Sequence, residues 1–153
     1  MGWWSEDIMG GDTPLDFQGS IYEKLGSNWQ TSRSEKKRVF EQASTETLAG
    51  LIPTIVTQWG CGEPGEDFHT SETSIGYQVL AVEMMGCGSP ISDSLRADMF
   101  KWIPLDGWAQ EDEDRYSKIQ NLLEKLKGYN STPTTIESKG LMQVYREKVS
   151  KKS

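Results

Sequence analysis

A mainly α-helical fold, one compact domain of about six helices, is what this sequence predicts. Apolar residues recur every three or four positions along segment after segment, and capping and stop residues bracket those segments. No run of four to eight residues alternates polar and apolar with a period of two, so strands are not expected. A chain of 153 residues without repeats or a break in composition suits a single core. The expected domain spans 1–148, with 149–153 as a frayed tail.

The first helix should start at Pro14, with Thr13 as its cap and Asp16 completing a capping-box pattern. Phe17, Ile21 and Leu25 then form its inner face beside Tyr22, and Gly26 is a natural stop. After a polar loop, residues 34–42 read as a short basic helix. Leu48, Ile52, Ile55, Val56 and Trp59 give the next apolar stripe, interrupted by Pro53, which predicts a kink or a fresh start near Ile52. Three glycines and a proline make 60–65 a loop.

Residues 73–85 carry apolar side chains around most of a helical circumference, which predicts a central helix ended by Gly86 and Gly88. Ser92 or Asp93 can cap the next helix, through Leu95 and Met99 to Trp102, and Pro104 forces a stop. From about 109 to 127, Tyr116, Ile119, Leu123 and Leu126 form a stripe, with acids at the start and lysines at the end, as the helix dipole favours. A last helix over 138–151 presents Leu141, Tyr145 and Val149.

Charge and cysteine content narrow the function classes. Twenty-three acidic against 16 basic residues give a net charge of −7, which disfavours general nucleic-acid binding. Two basic clusters stand out, Arg33 with Lys36, Lys37 and Arg38, and the lysines and arginine between Lys139 and Lys152. Acids gather at Glu63, Glu66, Asp67 and Glu72, and again at Asp106 and Glu111 to Asp114; they read either as solvated faces or as an acidic mimic of DNA. The apolar stretches are too short and interrupted for a membrane span, and no export or anchoring signal is expected. Cys61 and Cys87, each between glycines, are too few for a disulfide scaffold and fit a reducing cytoplasm, either as buried thiols or as a pair.

The opening Met1-Gly2-Trp3-Trp4 and the later Asp12-Thr13-Pro14-Leu15-Asp16-Phe17 resemble the start of domain-of-unknown-function family 4259, small proteins of bacteria and their phages. Gly2, Trp4, Asp12, Leu15, Asp16 and Phe17 match its pattern. Ser5 stands where the family places Gly, and Pro14 where it places Ala. A second likeness lies in Val79, Ala81, Val82, Glu83 and Gly86, bringing the covered share to about a third of the chain. The resemblance implies a small helical protein of a bacterial or phage-infected cytoplasm and supplies no catalytic residue.

Candidate sites follow from residue chemistry. Trp3 and Trp4, with Asp12 and Asp16 at the first helix, offer indoles for stacking on a base or partner side chain, or else a cover for the core. His69, the single histidine, lies near Cys61, Glu63, Glu66 and Asp67, without the spacing of a metal motif. Trp102, beside Lys101, and Trp108 complete the candidate binding set. Glu83 is the one ionised group on an apolar helix, so it needs a partner: a salt bridge to Arg96 or Arg115, or a divalent metal shared with an acid such as Asp112. No phosphate-cradling loop or nucleophile elbow occurs, so no catalytic residue and no cofactor is assigned. The expectation is a non-enzymatic binding protein that engages a macromolecular partner or sequesters a small nucleotide. A carboxylate-borne metal hydrolase and an acidic DNA mimic are the alternatives.

Overall fold

The computed structural model describes residues 12–28, 30–60, 66–107 and 112–134. They form six α-helices and one 3-10 turn, with no strand among the described residues: α1 Asp12–Lys24, α2 Arg33–Gln42, α3 Thr45–Gln58, α4 Asp67–Cys87, α5 Asp93–Trp102, the turn Ile103–Leu105, and α6 Glu113–Lys127. The expected last helix over 138–151 lies outside the described residues, as do Cys61 and most of the glycine-rich loop.

Local chemistry explains most of the boundaries. Ser32, Ser44, Ser92 and Asp112 each sit in extended backbone before a helix and accept a hydrogen bond from the amide three residues on, at 3.0–3.2 Å. At the other end of α1, Gly26 takes a φ of +77° while the amides of Gly26 and Ser27 bond back to Glu23 and Tyr22. Gly88 closes α4 in the same way, at φ +77°, and a Cβ there would also stand 2.9 Å from Pro133. Two constraints, backbone sign and space, therefore fix glycine at 88.

Three expectations are corrected. α1 begins at Asp12, two residues before Pro14. Of the kink or fresh start expected at Pro53, the fresh start is overturned: α3 continues through Pro53, because Leu51, Ile52, Ile55 and Val56 are buried around it and their packing outweighs a proline penalty of about 3 kcal/mol. Pro53 itself is exposed, where water can reach the Ala49 carbonyl that loses its amide partner. α4 starts at Asp67, six residues earlier than its apolar pattern, so His69 lies in a helix and not in an acidic loop. Thr73 supports that polar first section by donating to the His69 carbonyl at 2.8 Å.

α4 is the axis of the domain, and α1, α2, α3, α5 and α6 all pack on it. Ile75, Val79, Leu80, Ala81, Met84 and Met85 are almost wholly buried along its length. The closest approach is at Gly76, where a Cβ would come within 2.5 Å of Ile52 and 2.8 Å of Phe17. Glycine here lets α4 settle between α1 and α3. No helix among the described residues is long and apolar enough to cross a membrane.

Candidate functional site

The central helix carries two polar centres among its apolar residues, one around Gln78 and one around Glu83. Five residues at 3.6 per turn place these side chains about 140° apart around the helix, so each meets different neighbours.

The first centre is sealed. Arg115 of α6 and Asp106, just after the 3-10 turn, have no exposed surface, and the guanidinium meets the carboxylate through Nη2 at 2.9 Å and Nε at 3.3 Å. Gln78 stands between them: its Oε1 accepts from Arg115 Nη2 at 2.7 Å and its Nε2 donates to Asp106 Oδ2 at 2.8 Å. Gln78 Nε2 also reaches Ser74, whose hydroxyl donates to the Ile103 carbonyl at 2.8 Å. Nearby, Ser71 accepts from the Gly107 amide at 3.1 Å. Charge, amide and hydroxyl thus join α4, the turn and α6 in one network, as a buried ion pair requires. Half-buried Glu72 lies beside it, and burial, then the Asp106 charge, pushes its carboxyl above the ordinary range.

The second centre reaches the surface. Glu83 Oε1 accepts from the Tyr22 hydroxyl at 2.9 Å, from Gln18 Nε2 at 3.2 Å and from Lys36 Nζ at 3.5 Å, which ties α1 and α2 to α4. The Lys36 ammonium also lies over the Tyr22 ring, 5.2 Å from its centroid. Glu83 is 10% and Lys36 21% exposed. Burial, reinforced by the Glu83 charge, raises the Tyr22 phenol far above its usual value. The partner expected for Glu83 is therefore corrected: it is Lys36, not Arg96 or Arg115. Arg96 instead donates to the Leu126 and Tyr129 carbonyls, each at 3.0 Å, at the end of α6.

The sequence-predicted site residues are dispersed. Trp3, Trp4 and Trp108 lie outside the described residues. Asp12 is the first residue of α1, and Asp16 is exposed on the same helix. His69 is half-buried in the first turn of α4. Trp102 is half-buried at the end of α5, stacked on Tyr77 with ring centroids 6.4 Å apart and planes within 6°, and Lys101 Nζ lies 5.2 Å from its ring. Burial, with the charge of Asp98, pushes the Tyr77 phenol up to about 12. Asp112 caps α6, whereas Glu83 is held by α1 and α2, so the two carboxylates of the metal alternative are engaged by different partners.

Among the described residues, no group of three or more His, Cys, Asp or Glu side chains has the arrangement to hold a metal ion. Cys87 is a buried free thiol whose Sγ donates to the Met84 carbonyl at 3.4 Å, and burial raises its pKa. A buried thiol of this kind is inert. The sequence reading overlooked Gln78, Asp106 and Arg115 as a unit. One signal was present: Arg115 sits in the first turn of a helix, where a cation opposes the dipole, which points to a partner elsewhere in the fold.

No protein-family model matches this chain, no curated protein matches it, and no solved structure matches it.

Proposed function

We propose that this chain is a non-enzymatic binding protein that acts through its outer surface, engaging a macromolecular partner or holding a small nucleotide. One observation carries the reading. The charged groups drawn between the helices serve to join them: Asp106 and Arg115 link the turn to α6 with no exposed surface, and Glu83 and Lys36 link α4 to α2. A reacting group needs an open side towards its substrate. The Asp106 carboxylate and the Arg115 guanidinium instead face each other and Gln78.

The same geometry supports binding over the two alternatives. Glu83 Oε1 already takes three protein donors, and Asp112 already caps a helix, so each carboxylate of the hydrolase reading has a local structural role. Glu113 and Asp114, which an acidic DNA mimic would use, lie in the first turn of α6, where they complement its dipole. The resemblance at Gly2, Trp4, Asp12 and Leu15 to Phe17 points to a bacterial or phage setting for the partner.

Affinity capture from bacterial lysate, run in parallel with a thermal-shift panel of nucleotides, tests the reading. A stoichiometric partner or a nucleotide-dependent rise in melting temperature is expected, and it should persist in the Glu83→Gln variant. Neither a partner nor a shift, or binding that disappears with the Glu83 charge while the fold is kept, would overturn it.

A further inference from the structure

The geometry points to α2 as a strap that opens as a unit, latched to the rest of the domain by the insertion of Lys36 between Glu83 and Tyr22. This inference is independent of which partner the surface binds. Four observations carry it. Only Val39 and Phe40 of the ten residues of α2 are buried, so little apolar area holds the helix down. Among the described elements, α2 packs mainly on α4.

Open space flanks both long sides of this helix. One cavity, of about 330 Å³, separates Arg38 and Gln42 from Lys24 and Thr47. The other, of about 320 Å³, separates Phe40 and Glu41 from Leu48 and Ile91.

The latch is the one place where charge crosses from α2 to another described helix. Lys36 neutralises a carboxylate that is nine-tenths buried and covers the face of a buried aromatic ring. Phe40 adds a tilted contact with that ring at 5.6 Å. The Arg38 to Glu35 pair, by contrast, lies within α2 and fastens it to nothing else. Few buried contacts, exposed flanks and one polar fastening are the properties of an element whose local opening requires less free energy than global unfolding. Opening would lift Phe40 off Tyr22 and merge the two cavities.

Hydrogen exchange of the full chain, followed by mass spectrometry, tests this. The amides of 36–43 should exchange at least about 100-fold faster than those of 78–87 in the wild type, after correction for intrinsic rates. Lys36→Met should speed 36–43 by about a further tenfold, whereas Arg115→Met, whose joint stays intact when only α2 opens, should speed 78–87 and leave 36–43 unchanged. Glu83→Gln, which keeps an acceptor for Tyr22 but removes the charge, should act in the same direction. Equal protection of the two segments in the wild type would overturn the strap. A fast 36–43 that neither Lys36→Met nor Glu83→Gln changes would overturn the latch, and an Arg115→Met variant that speeds 36–43 as much as 78–87 would overturn the strap.

Discussion

The two polar centres of α4 use the same chemistry at different depths, and the difference separates what fixes this fold from what can move in it. Around Gln78, a guanidinium and a carboxylate are sealed from water and surrounded by an amide and a hydroxyl. Around Glu83, an ammonium and a carboxylate meet at 3.5 Å with part of each side chain exposed. A sealed pair cannot turn to solvent when one member is lost, whereas a pair at the edge can. The first centre should therefore behave as a rigid joint between α4, the 3-10 turn and α6, and the second as a fastening for α2.

The largest effect follows from breaking the joint on one side. Arg115→Met leaves Asp106 charged and buried, and should reduce stability by about 3–5 kcal/mol, read from the midpoint of chemical denaturation. Replacing both partners, as in Asp106→Leu with Arg115→Met, should restore most of that loss, because an apolar pair carries no desolvation penalty. A single variant that loses less than about 1 kcal/mol would show that the joint is not sealed in solution.

Gly76→Ala comes next, because it tests what holds both centres at their depths. The new methyl group would meet Ile52 and Phe17, neither of which has exposed surface into which to retreat. Overpacking of this kind costs about 1–3 kcal/mol. Alanine's better helix propensity returns just under about 1 kcal/mol, so a net loss is expected. A gain in thermal stability would mean that α4 rides higher between α1 and α3 than its contacts with Ile52 and Phe17 imply.

Lys36→Met should produce a smaller loss than either, about 1 kcal/mol, since Glu83 keeps Tyr22 and Gln18 as donors and can draw in water. A loss matching that of Arg115→Met would erase the distinction between the two centres.

The sequence made the apolar side of this contrast legible and left the polar side hidden. Phe17, Ile21, Ile52, Ile55 and Val79 announce themselves by spacing, because burial along a helix repeats every three or four residues. Ser92 and Gly26 announce the ends of helices by their local chemistry. Pro53 does not restart the helix, because tertiary packing overrides a local penalty. The polar first section of α4 misled because its apolar pattern only begins further along. Glu83 was visible as a charge on an apolar helix, yet its partner was not, since the choice among Lys36, Arg96 and Arg115 depends on how the helices cross. Asp106, Gln78 and Arg115 are separated by 28 and 37 positions along the chain, and no spacing rule links residues that meet only after three elements pack.

Glu72 offers the smallest effect and the finest test of the sealed centre. Its carboxyl is raised by burial first and by the charge of Asp106 second. A folded-state pKa above the unfolded value means that the folded protein holds this proton more tightly, so the stabilisation is complete below the ordinary carboxylate range and is lost as pH rises through the raised value. Above the ordinary carboxylate range Glu72 is therefore a net destabilising group. Glu72→Gln should raise the denaturation midpoint at pH 7, and the gap between variant and wild type should narrow as the solution is acidified, because the wild-type side chain then becomes neutral as well. If Asp106 is a true source of that repulsion, the gain from Glu72→Gln should shrink in an Asp106→Leu, Arg115→Met background, where only burial still acts on Glu72. An undiminished gain there would place the cause in desolvation alone and detach Glu72 from the joint.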